Sequence, residues 1–81
     1  MTLTFQPIRV ATGFDEEGMM VLDAEQRLVA VLVRLSDRNE VAPGQWNLEA
    51  GFGPVNGVTP PTFADLDAAR DWIGQRLARG W

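Results

Sequence analysis

Arg27-Leu28-Val29-Ala30-Val31-Leu32-Val33-Arg34-Leu35 is the stretch on which the fold turns. Valines recur at every second position, the pattern of a β-strand. Val29, Val31, Val33 and Leu35 share one side; Leu28, Ala30 and Leu32 share the other, which ends in Arg34. Apolarity on both sides means a central strand, either covered twice or covered once and meeting a partner with its second face. Arg27 and Arg34 bracket the run, where a charge discourages aggregation.

On the N-terminal side, Asp23-Ala24-Glu25-Gln26 is a turn without glycine, read as a four-residue hairpin loop on a type I turn. It joins the run to a short strand, Met19 to Leu22. Residues 11–18 read as a loop. Residues 2–6 alternate, with Leu3 and Phe5 on one side, and form a further strand that Pro7 ends or confines to a sheet edge; Ile8 and Val10 offer to extend it.

On the C-terminal side, Pro43-Gly44 marks a turn. Gln45 to Phe52 then alternates, with Trp46, Leu48, Ala50 and Phe52 on one face and Asn47 and Glu49 on the other, as in a half-buried antiparallel strand. A Gly- and Pro-rich loop, Gly51 to Pro61, precedes a helix. Thr62 is placed as its N-cap with Asp65 at N3. Phe63, Leu66, Ala69, Ile73 and Leu77 form its apolar stripe. Gly80 is positioned as a left-handed C-terminal cap, with Trp81 folding back on the last turn. The expected architecture is α+β: an antiparallel three- to four-stranded meander with one C-terminal helix packed on one face, β-β-β-β-α. Residues 1–81 are read as a single small domain.

Composition narrows the chemistry. The 81 residues include no His, Cys, Tyr or Lys, one serine (Ser36), eleven carboxylates and seven arginines. Most nucleophiles, neutral-pH proton carriers and transition-metal ligands are therefore missing. Disulfides are excluded, and a structural zinc has no ligands of its usual kind. No catalytic residue, metal or cofactor is assigned, and no small-molecule ligand is identified. Net charge is −4 with 46% hydrophobic residues, a balance that disfavours nucleic acid. No basic-then-apolar leader and no membrane-length apolar run is present, so the expected location is the cytoplasm.

Three local patterns invite chemistry and are better read without it. Gly51-Phe52-Gly53-Pro54-Val55-Asn56-Gly57 has too many prolines between it and the helix to cradle a phosphate. Asp15-Glu16-Glu17 cannot converge on one cation. Asp67 and Asp71 lie on the solvent side of the helix.

Trp72 falls about 110° from the centre of the helical stripe, so it serves either as a lid on the core or as a partner hot spot, as does Trp81. One helix covers one sheet face. With the valine side inward, Leu28, Ala30, Leu32 and one of Met19 and Met20 face out. The expected interaction surface is Leu28, Ala30, Leu32, Arg34, Trp72 and Trp81. The alternative is that residues 1–17 fold over that face. On the first reading, Leu32→Glu leaves a folded monomer.

Trp46-Asn-Leu-Glu followed by Phe63-Ala-Asp-Leu-Asp-Ala-Ala-Arg-Asp-Trp72-Ile resembles a pattern of small βββα modules. The arm-type DNA-binding domains of phage integrases and the double-stranded-RNA-binding domains share that strand order. The likeness covers about thirty residues at packing positions, and implies a fold rather than a function. Nucleic-acid binding requires a basic face with exposed aromatics, whereas Arg70, Arg76 and Arg79 are spread around the helix. The expected function is a non-catalytic interaction module whose partner is another protein or itself, as a homodimer.

Overall fold

The computed structural model describes residues 2–36, 43–56 and 62–80. Four strands, β1 (Thr4–Arg9), β2 (Glu17–Leu22), β3 (Leu28–Arg34) and β4 (Trp46–Gly51), form one antiparallel sheet in the order β1-β2-β3-β4. A 3-10 turn (Gly53–Val55) and one helix, α1 (Leu66–Gly80), follow. The meander with its C-terminal helix is the architecture that the sequence suggests. Pro7 lies inside β1 rather than ending it, and β1 is an edge strand, where a missing N–H is tolerated.

Residues paired directly across an antiparallel sheet share a face. Phe5↔Val21↔Ala30↔Gly51 and Met19↔Leu32↔Leu48 therefore lie on one face, and Gln6↔Met20↔Val31↔Ala50 and Thr4↔Leu22↔Leu28 on the other. The first face meets α1. Val21, Val29, Ala30, Leu32 and Trp46 form one buried cluster with Val55, Phe63, Ala69, Ile73 and Leu77. Leu3, Phe5, Met19, Leu48, Leu66 and Trp72 pack around it. Each aliphatic side chain fully buried there stabilises the fold by about 1.5–3 kcal/mol.

This reverses the expected sidedness of β3. Ala30 and Leu32 are both 0% exposed against the helix. Of the expected apolar outer set, Leu28 and Met20 face outward, whereas Ala30 and Leu32 do not. The edge strands decide the matter. Phe5, Trp46 and Leu48 make the inner face apolar across the whole sheet, while Thr4, Gln6, Asn47 and Glu49 make the outer margins polar. The helix settles where burial is greatest.

Two β-bulges let the strands serve both faces. Val21 pairs with Ala30 but Leu22 with Leu28, which leaves Val29 as the extra residue, free to join the inner cluster. Val31 pairs with Ala50 but Leu32 with Leu48, so Glu49 is extra and Ala50 moves to the outer face. Phe52, expected beside Trp46, stands 47% exposed beyond the strand.

The β2–β3 turn is built on Asp23. Its carbonyl accepts from the Gln26 amide at 3.0 Å, its amide donates to the Arg27 carbonyl at 3.0 Å, and Gln26 takes a left-handed φ of 64°. This is a type I turn closed by a left-handed bulge residue, a place where glycine is usual. The buried Asp23 Oδ1 accepts from the Glu25 and Arg27 amides, each at 2.9 Å, and Oδ2 from Arg27 Nε at 2.8 Å. The Arg27 amide is the largest influence on the carboxyl. Opposed by burial and aided by the Arg27 guanidinium and the Glu25 amide, it holds the group below the ordinary aspartate value.

The helix begins later than expected. Asp65, not Thr62, is its cap: Asp65 Oδ1 accepts from the Ala68 amide at 2.8 Å. Phe63 is not part of the helical stripe. It bridges Trp46 through two backbone hydrogen bonds of 2.8 Å and holds its neighbourhood extended, while Thr62 Oγ1 donates to Gln45 Oε1. Gly80 is the last helical residue and has no positive φ; it stands against the Pro54 ring, where a Cβ would clash. Trp81 lies outside the described residues.

Two outcomes follow. Gln26→Gly relieves the left-handed strain and raises the unfolding free energy by about 0.5–1 kcal/mol, read by urea denaturation; a loss would contradict this turn geometry. Asp23 has a lowered folded pKa. Its contribution is complete above the unfolded value of about 3.9 and disappears as pH falls through the folded value. Thermal midpoints of the wild type should therefore fall below about pH 4 more steeply than those of Asp23→Asn, and parallel curves would contradict the assignment.

Candidate functional site

Two surfaces remain after the core is accounted for. The first is the outer sheet face. Its centre is apolar: Met20, Leu22 and Val31 are half-buried and Leu28 is 36% exposed. Ile8 and Ala50 adjoin it, and Thr4, Gln6, Asn47 and Glu49 supply a polar margin. Val33 on the same face is buried. At that end Val10 folds over the sheet, with its Cγ2 only 2.7 Å from where a Cβ on Gly18 would stand; glycine is what lets it approach so closely. The N-terminal segment thus shelters one end of this face, while β1 itself lies in the sheet. Among the described residues no helix lies over Met20, Leu22 and Val31.

The second surface is the β4 flank of α1. Phe63 and Trp72 meet with ring centroids 5.6 Å apart and planes tilted by 56°. Phe63 is held by its bridge to Trp46, so three aromatic residues are joined in series. Arg34 is paired with Trp46 across the sheet and shares its face. The Arg76 guanidinium lies 5.8 Å from the Trp72 ring centroid. By helix geometry Arg76 and Arg79 project within roughly 40° and 20° of Trp72, whereas Arg70 lies on the opposite flank, 4.8 Å from the Phe5 ring centroid. The basic residues of the helix are therefore less dispersed than the sequence suggests.

The six arginines among the described residues divide into two sets. Arg9 pairs with Glu16 at 2.6 Å, Arg27 with Asp23 at 2.8 Å, and Arg70 with Asp67 at 3.4 Å. Arg34, Arg76 and Arg79 form no ion pair among the described residues. Arg76 Nε is buried without a hydrogen-bond partner, an arrangement that costs about 1–3 kcal/mol.

The residues singled out from sequence are thus scattered. Leu28 is on the outer face; Ala30 and Leu32 are in the core; Arg34 and Trp72 belong to the aromatic flank; Trp81 is outside the described residues. Trp72 acts as a half-buried lid beside Phe63. Two aromatics outside that set stand exposed, Phe52 and Phe14, the latter 92% exposed in the β1–β2 loop. Of the acidic trio, Glu16 is engaged by Arg9, and the Asp15 carbonyl by Thr12 Oγ1. Within the Gly51–Gly57 stretch, Gly53–Val55 form a 3-10 turn whose Val55 enters the core. An open depression of about 430 Å³ lies between Leu3 and the Arg70, Asp71, Gly74, Gln75 and Ala78 side of the helix. Described helices include none long and apolar enough to cross a membrane.

Comparison with protein-family models, with curated proteins and with solved structures finds no match. No comparison supports the likeness to βββα modules, and one of the packing positions that carried it, Phe63, lies outside the helix.

Phe63→Ala removes both the Trp46 bridge partner's side chain and the Trp72 contact. It should lower the unfolding free energy by about 3–5 kcal/mol and red-shift tryptophan emission. An unchanged spectrum would mean that Trp72 does not rest on Phe63.

Proposed function

We propose that this chain is a non-catalytic interaction module that pairs with a second copy of itself through the outer face of its sheet. The observation that carries the proposal is the uncovered apolar centre, Met20, Leu22, Leu28 and Val31, within a partly polar margin. That is the anatomy of a protein interface, apolar at its core and polar at its rim. A sheet face can meet a second copy of itself about a twofold axis, the commonest symmetry of small oligomers.

Scale sets the strength. Strands about 4.8 Å apart and about 20 Å long give four of them a footprint on the order of 400 Å². A standard stable interface buries about 800 Å² of accessible surface per partner. The pairing is therefore weak and reversible. Pro7 interrupts the exposed edge of β1, so association by face is favoured over strand addition at that edge. The lack of His, Cys, Tyr and Lys supports a binding role over catalysis.

Sedimentation should reveal a dimer dissociating in the micromolar range. Val31→Glu puts a charge at the centre of the outer face and should give a folded monomer at all concentrations. Leu32→Glu, one residue on, puts the charge in the core and should unfold the chain. A wild type that remains monomeric at millimolar concentration would refute self-association.

A further inference from the structure

We propose that the β4 flank of α1, with Arg76 beside Trp72, Arg79 on the same side of the helix and Arg34 next to Trp46 in the sheet, binds an acidic segment of a partner protein. This surface is separate from the outer sheet face and does not depend on self-association.

Arg76 Nε is buried and makes no hydrogen bond, while its guanidinium lies beside the Trp72 ring. A carboxylate at the exposed edge of the guanidinium supplies a counter-charge that no described residue provides. A stacked guanidinium is also well suited to grip a carboxylate with two parallel hydrogen bonds. In a chain of net charge −4, with eleven carboxylates, Arg9, Arg27 and Arg70 each have an acidic partner. Among the described residues the cations without one are Arg76 beside the Trp72 ring, Arg79 on the same side of the helix, and Arg34 across the sheet from Trp46. Asp67 and Asp71 project roughly 140° and 100° away from Trp72 around the helix, so they do not neutralise the patch.

Charge and surface type name the occupant. Arginines bordering an aromatic floor suit a peptide segment that offers carboxylates to the rim and an apolar side chain to Trp72. A long polyanion would extend past three cations into the field of an acidic protein. A bare anion would leave the aromatic floor unused.

The test follows tryptophan emission and amide chemical shifts while titrating the intact chain with a short peptide of alternating glutamate and leucine. Its glutamine counterpart, inorganic phosphate and a single-stranded oligonucleotide are titrated in parallel. The expected result is saturable binding of the glutamate peptide at submillimolar concentration, weakened by salt, with shifts at Trp72, Arg76 and Arg34. Arg76→Met keeps the aliphatic stem and removes the unmet donor. It should weaken the peptide by roughly tenfold while the melting temperature holds or rises, a combination that a structural role for Arg76 would not give. If that variant fails to fold, the exposed Arg79→Gln should still weaken binding several-fold. No saturation, equal binding of the glutamine peptide, tighter binding of the oligonucleotide or of phosphate, or unchanged affinity in the folded variants would each overturn the proposal.

Discussion

A sheet has two faces, and among the described residues this chain brings one helix to one of them; nearly every feature of the structure answers to that constraint. The face that α1 covers is apolar from edge to edge, running from Phe5 through Val21, Ala30 and Leu32 to Trp46 and Leu48. The other is apolar chiefly at its middle strands. Covering the first shelters the larger greasy area. What is left, a half-exposed strip along Met20, Leu22 and Val31, is the residue of that choice and the basis of the proposed self-association.

The bulges at Val29 and Glu49 adjust this division. By adding a residue to β3, the first draws Val29 into the core beside Ala30. The second turns Ala50 outward to face Val31 and brings Gly51 opposite Ala30. Each changes which side chains share a face without altering the strand order. The same sheet edge recruits Phe63, whose bridge to Trp46 delays the helix until Asp65 caps it and sets Phe63 under Trp72. The aromatic flank with its unpaired arginines thus arises from the junction between sheet and helix.

How far the sequence could be read follows from the range of each interaction. Strands, turn positions and helix depend on local periodicity and turn chemistry, so β2, β3, β4 and the Asp23 turn were legible. Sidedness depends on which face is apolar across all four strands, and β3 by itself is apolar on both; that is why Ala30 and Leu32 are expected outside and found inside. The edge residues Phe5, Trp46, Gln6 and Asn47 carried the missing signal, but only when all four strands are weighed together. Phe63 likewise looks helical in its own neighbourhood because its partner is Trp46, seventeen positions earlier. That Arg34 shares a sheet face with Trp46 while Arg76 lies beside Trp72 has no sequence signature, since it needs the sheet and the helix to be assembled.

Solvent access to individual methyl groups tests the central claim most directly. A soluble paramagnetic chelate, added to dilute methyl-labelled protein, broadens methyl signals in proportion to their exposure. The account predicts strong broadening for Met20, Leu22 and Val31, little for Ala30 and Leu32, and protection of the first group as protein concentration rises. Broadening of Ala30 and Leu32 with protection of Val31 in dilute solution would contradict it.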